Sequence, residues 1–284
     1  MTIELTTWLK QVAQQRNPVW VDGCAYGETL LNKGKPAPWD DVGALVSYIK
    51  QLQGLLKSDV LVIDIARFYE FWLNSNPNLL AAMGVKKRLG YALRTLLADQ
   101  TARDQLHEVV MAICTSCSNT PIVLSMPSPK LWIGTAHAKA KNIDQVEVSW
   151  EDAESGAMYM ADFLRIFSDC SLSGILIEDG GLAGPQHDTH IRSYQPIFNV
   201  ANHYHWEVSL KGCAPSYTPA PELGVAVAIS ESNSDAQGQI LASECWRESV
   251  ELPLAQDKFW YVIIPRDAVP EQVLEVLAKL REEP

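Results

Sequence analysis

Several side chains able to move protons or grip anions stand just after the apolar runs of this sequence. Asp64 closes the run Val60–Ile63, where a carboxylate taken out of water needs a partner. Arg67, three residues on, is close enough to serve. Asp22, Cys24 and Tyr26 follow Val19–Val21, and Ser125, Ser128 and His137 follow Ile122–Leu124. Glu178 and Asp179 follow Ile175–Ile177, Glu231 follows Val225–Ile229, and Arg266 and Asp267 follow Trp260–Ile264. Asp64, Asp22, Glu178, His137 and His205 are candidates for proton transfer. Arg67, Arg247 and Arg266 are candidates to hold a substrate carboxylate, which a guanidinium meets with two parallel hydrogen bonds. Tyr26, Ser128, His137, Asp179, Arg247 and Arg266 together make the expected substrate-binding set. The bland alternative is that loop carboxylates cap helices, as Asp267 does if a helix starts near Pro270.

His203 and His205 form an H-x-H pair, which on an extended strand puts both imidazoles on one side. With Cys245 or Glu231 completing the set, the metal would be zinc. Cys114 and Cys117 make a C-x-x-C, but with no preceding strand and no second pair they read as helix-end packing residues. The glycines after Glu178 match no phosphate-binding pattern.

Residues placed in this way need strands that deliver them to one end. Eight short runs qualify: Val19–Val21, Val60–Ile63, Ile122–Leu124, Ile175–Ile177, Ile197–Val200, Val225–Ile229, Gln239–Ala242 and Trp260–Ile264. Helical stripes lie between them at Val42–Leu56, Leu79–Leu97, Thr101–Ile113 and Glu154–Ser168, and a final helix begins at Pro270. Alternation of this kind predicts a parallel (β/α)8 barrel spanning 1–284, with its chemistry at the carboxyl ends of the strands. An open doubly wound sheet is the alternative. The stretch from Ile229 to Gln239 is short for a parallel crossover, so either a helix is missing there or the two runs form a hairpin. Ala214–Pro221, rich in proline, reads as a loop.

The chain has 284 residues, 47% of them hydrophobic, enough for a barrel-sized core. A net charge of −11 without clustered Lys and Arg argues against nucleic acid. No apolar stretch approaches a membrane span, no secretory signal is visible, and six cysteines are too sparse for a disulfide scaffold. A cytoplasmic protein acting on a small molecule is expected, with a homodimer left open.

Three stretches resemble the uroporphyrinogen decarboxylase superfamily, which includes zinc-dependent methyltransferases and is related to cobalamin-independent methionine synthase. Val60-Leu61-Val62-Ile63-Asp64-Ile65 is similar to the strand carrying that family's key aspartate. Met160 to Gly184 is similar to its aspartate-serine-tryptophan-alanine-glycine segment, with Asp179 matching and Gly180 replacing the serine. Ile263 to Val273 resembles its closing strand and last helix, without the preceding histidine. More loosely, Ile122 to Pro129 resembles the third-strand loop. The resemblance implies a lyase that decarboxylates a small carboxylated or cyclic substrate without a redox cofactor, Asp64 stabilising cationic charge or relaying a proton. The family's arginine-rich loop has no counterpart near Val19–Gly27, which speaks against uroporphyrinogen itself. A methyltransferase acting on a thiol through zinc at His203, His205 and Cys245 is the alternative. A barrel that binds a ligand or partner without catalysis is the third reading.

Overall fold

The computed structural model describes residues 2–182, 187–213, 223–231, 235–246 and 258–282. Its strands are β1 (Val19–Asp22), β2 (Leu61–Asp64), β3 (Ile122–Pro127), β4 (Gly174–Glu178), β5 (Glu207–Lys211), β6 (Val225–Ser230), β7 (Gly238–Ile240) and β8 (Phe259–Ile263). They form one sheet in the order β1-β8-β7-β6-β5-β4-β3-β2, parallel at every pairing. The sheet curls until β1 and β2 stand side by side, giving a nearly closed (β/α)8 barrel.

Helix α1 (Leu5–Ala13) precedes the barrel; α2 (Cys24–Asn32) and α3 (Val42–Leu56) link β1 to β2. The next crossover carries α4 (Ile65–Ser75), α5 (Pro77–Met83), α6 (Leu89–Leu97) and α7 (Gln100–Ser116). Then come α8 (Pro129–Lys141) and α9 (Trp150–Leu164), α10 (His187–Ile191) and α11 (Gln195–His203), and finally α12 (Pro270–Arg281). Side-chain caps start several of them: Asp41 accepts from the Ala44 N–H, Asp99 from Ala102 and Ser128 from Leu131, while Ser149 and Asp152 form a reciprocal capping box. No helix among the described residues is long and apolar enough to cross a membrane.

Two expectations are corrected and one open alternative is decided. Ile197–Val200 is helix, not strand: Ile197, Val200 and Ala201 are buried at the i, i+3, i+4 spacing of a helical face, and the fifth strand is Glu207–Lys211. The run Leu79–Leu97 divides around Gly84 into α5 and α6. No hairpin joins β6 to β7, because Ile229 and Gly238 pair in parallel register across a short link. The prolines of Ala214–Pro221 lie outside the described residues.

Side-chain alternation along the strands separates two layers. Leu61, Ile63, Leu124, Ile175, Ile177 and Leu210 face outward into one core shared with the helices, and Val19, Val21, Trp260 and Val262 into another beside α12. Trp20, Val123, Leu176, Val227, Phe259 and Tyr261 fill the barrel interior. Leu5 and Leu9 of α1 join this interior cluster and plug the amino end. Thr6 fastens the plug through its N–H and hydroxyl, which donate to the Glu207 carboxylate at 2.9 and 2.5 Å.

Among the described residues the barrel has one seam, between β1 and β2, where no strand ladder forms. Backbone donors there still need acceptors. The Val19 N–H donates to Asp59 Oδ2 at 2.7 Å and the Val21 N–H to Ser58 Oγ at 2.8 Å. Arg16 donates to both oxygens of the buried Asp59 carboxylate, at 2.8 and 2.6 Å.

Candidate active site

Because the interior layer is set by alternation, the next inward position on each strand falls at the carboxyl-end mouth. Trp20 leads to Asp22, Val62 to Asp64, Val123 to Ser125, Leu176 to Glu178 and Ser209 to Lys211. Register aligns them: Asp64 lies opposite Ser125, and Glu178 opposite Lys211. The Ser125 hydroxyl donates to Glu178 Oε1 at 2.8 Å, and Lys211 Nζ stands 2.9 Å from Glu178 Oε2. Lys211 also lies over the Tyr261 ring, 5.0 Å from its centre, with the Tyr261 hydroxyl 3.5 Å from Nζ. Tyr261 and Trp20, ring centres 5.6 Å apart, form the floor.

Two backbone features hold β4 and β5 together, one at each end of the pair. Gly174 begins β4 so close to β5 that a Cβ there would sit 2.2 Å from the Glu207 carbonyl oxygen. After the strands, Gly212 adopts φ +82° and packs against Gly180, where a Cβ would come within 2.8 Å of the Gly180 nitrogen. Glu178, Lys211, Gly180, Gly181, Glu231 and Ile263 line a mouth cavity of about 400 Å³.

On the other side Asp64 is both the last residue of β2 and the N-cap of α4, accepting from the Arg67 N–H at 3.1 Å. The Arg67 guanidinium reaches back, Nε 3.4 Å from Asp64 Oδ2 and Nη1 3.2 Å from Glu28 Oε2. Even so, burial and then the neighbouring Glu178 and Asp22 charges push the Asp64 carboxyl up to about 6, against the downward pull of its backbone hydrogen bond and Arg67. Cys24, donating its N–H to Asp22 at 3.3 Å, has its thiol pushed up by burial and by the Asp22 and Asp64 carboxylates. Burial, followed by Asp22 and Glu178, raises the Tyr261 phenol as well. Carboxylates outnumber cations here, with Asp22, Glu28, Asp64 and Glu178 against Arg67 and Lys211, so the mouth favours a substrate that is or becomes cationic.

Asp22, Asp64, Arg67 and Glu178 thus meet as the sequence predicts. Lys211, Tyr261 and Glu28 were missed. Lys211 was hidden by the misplaced fifth strand; once that strand is Glu207–Lys211, it occupies the same inward terminal position as Glu178.

Other candidates stand elsewhere. Ser128, fully buried, caps α8, and Asp179, fully buried, accepts from the Tyr194 hydroxyl at 2.7 Å. Tyr26 is buried on α2 in the core beside α12, where burial and then Glu271 raise its phenol. Arg266 is exposed, donating to Thr29 Oγ1 at 3.2 Å and the Gly34 carbonyl at 2.9 Å. His137 is buried two turns into α8, its Nδ1 without a hydrogen-bond partner. Arg247 lies outside the described residues.

The proposed metal set is overturned. His203 ends α11 and His205 occupies a left-handed turn, φ 58°, before β5, which puts both at the amino end of the barrel rather than on a strand. Cys245 packs with Trp246 in the core beside α12. Among the described residues the group of three that could hold a metal is instead His107, Asp169 and Cys170. There His107 Nε2 lies 2.8 Å from Asp169 Oδ1, and Cys170 Sγ 3.8 Å from the same oxygen, joining α7 to the turn before β4 and away from the mouth. His205 is likewise removed from the proton-transfer set.

Set beside known proteins, the sequence matches no family model and no curated protein, so the chemistry has to be argued from the mouth itself.

Proposed function

We propose that the protein is a lyase that decarboxylates a small substrate bearing both a carboxylate and a protonatable nitrogen, with Asp64 as the proton-transfer group. The observation that carries this reading is the place of Asp64 at the barrel mouth, ending β2 and capping α4 beside the Asp22 and Glu178 charges, where burial and those charges push its carboxyl up to about 6, a range suited to proton transfer. Decarboxylation breaks the bond to the carboxylate carbon, releases carbon dioxide and sends the electron pair into the protonated, nitrogen-bearing sink. Asp22 and Glu178 favour that cation electrostatically. The carbon left behind takes a proton from Asp64. Lys211, which has three donors and spends one on Glu178 and one on the Tyr261 hydroxyl, retains the third for the departing carboxylate. A polyanion such as uroporphyrinogen fits the acidic mouth poorly. The likeness of the β2 segment to the decarboxylase superfamily supports this reading; among the described residues no His–Cys metal set stands at the mouth to support a zinc methyltransferase.

The test is to incubate the protein with a cellular metabolite extract and follow carbon dioxide release together with consumed masses. Wild-type protein is expected to consume a carboxylated compound, and Asp64→Asn, with its fold checked by circular dichroism, to do so at least about 100-fold more slowly. Equal turnover by the two proteins would remove Asp64 from the chemistry, and no turnover by either would favour a barrel that only binds.

A further inference from the structure

The seam between β1 and β2 leads to one more assignment, which deepens the proposed function and rests on it. We propose that this gap is a specificity pocket receiving a compact, mainly apolar branch, of about five heavy atoms, of the substrate held at the mouth.

Strand pairing closes every other junction of the barrel. At the seam the ladder is replaced by single contacts: the Asp59 N–H donates to the Val19 carbonyl at 2.9 Å, and the Asp59 and Ser58 side chains accept from the Val19 and Val21 N–H groups. Beside the gap lies a cavity of about 70 Å³. Leu45, Ile49, Leu52 and Leu56 of α3 form one wall, and Val21 and Ile63 belong to the strands opposite. Cys24, Glu28, Asp64 and Arg67 also line it, so the cavity reaches the acid–base group itself.

Two details favour an occupant over a packing fault. The Tyr48 hydroxyl lines the cavity, is itself buried, and has no hydrogen-bond partner, which leaves a donor for an oxygen or nitrogen on the incoming branch. Helix α2 packs tightly beside it: a Cβ on Gly27 would fall 2.6 Å from the Tyr48 hydroxyl and 2.9 Å from Leu52. The neighbouring helix is thus drawn in as far as glycine permits while the space beneath α3 stays open. An unfilled apolar hole weakens a core, and a ligand group that fills it recovers the lost dispersion contacts.

Two probes test the assignment on the full chain. Xenon under pressure, diffused into crystals, is expected between β1 and α3, as it enters other dry apolar cavities. Separately, straight-chain ammonium ions from ethylammonium to heptylammonium, titrated by calorimetry, are expected to gain about fourfold in affinity per methylene up to five carbons and then level off. Leu45→Phe and Ile49→Phe, both filling the wall, should abolish that gain; ethylammonium, too short to enter, reports the mouth alone. Affinity flat in chain length, or a gain that survives both substitutions, would overturn the pocket. If no ammonium ion binds at all, the acidic-mouth reading has failed and xenon alone decides the seam: density there upholds the pocket and its absence removes it.

Discussion

The two sides of the barrel mouth solve the same problem differently. On the β4–β5 side the ladder runs unbroken to Glu178 and Lys211, and the carboxylate at its end is met by an ammonium at 2.9 Å. On the β1–β2 side there is no ladder, the backbone donors turn to Ser58 and Asp59, and Asp64 sits beside a cavity with its carboxyl raised to about 6. Arg67 is present there too, but it is shared between Asp64 and Glu28 at 3.4 and 3.2 Å and does not outweigh desolvation. Where the strands close, charge is neutralised in place. Where they do not, a carboxyl is left able to exchange its proton.

Breaking the seam should give the largest effect. Asp59→Ala strips two hydrogen bonds from Arg16 and the acceptor from the Val19 N–H, and we expect a loss of about 3–5 kcal/mol in guanidinium unfolding. A loss below about 1 kcal/mol would mean that the seam is not held by this carboxylate. On the laddered side, Lys211→Met should leave the fold intact but lower kcat/KM by about 10–150-fold, the worth of a charge-assisted hydrogen bond. Unchanged kinetics would place the substrate carboxylate elsewhere.

A smaller effect sharpens the contrast through pH. Asp64 holds its proton more tightly in the folded protein than at its ordinary value of 3.8. Its contribution to stability is therefore greatest below about pH 4 and is lost as pH rises toward and through 6. With the side chain 22% exposed and screened by solvent, that loss is about 1–2 kcal/mol. Asp64→Asn, which can still cap α4, should erase it, so the mutant gains on wild type between pH 4.5 and 7.5, values chosen to bracket about 6. Parallel stability curves for the two proteins would contradict this.

The difference between the two sides also marks what could be read from the chain. Asp64, Asp22 and Glu178 were legible because each ends a short apolar run, and strand ends in a parallel barrel converge. Arg67 was legible from its spacing to Asp64. Lys211 was not, since the strand it ends begins with Glu207 and carries little apolar signal, while Ile197–Val200 looks like a strand until tertiary packing shows its helical face. The same error placed His203 and His205 on a strand they do not occupy. Nor could the seam be foreseen: β-propensity says which residues favour strands but not which neighbours fail to pair, and the bridging by Ser58 and Asp59 is a long-range contact.

The account stands most directly on the protonation of Asp64. A carbon-13 titration of its side-chain carboxyl should give a midpoint near 6, moving downward in Glu178→Gln as a neighbouring negative charge is removed. A midpoint near 4, unmoved by that substitution, would mean that Asp64 is an ordinary capping carboxylate and that the mouth has lost its proton-transfer group.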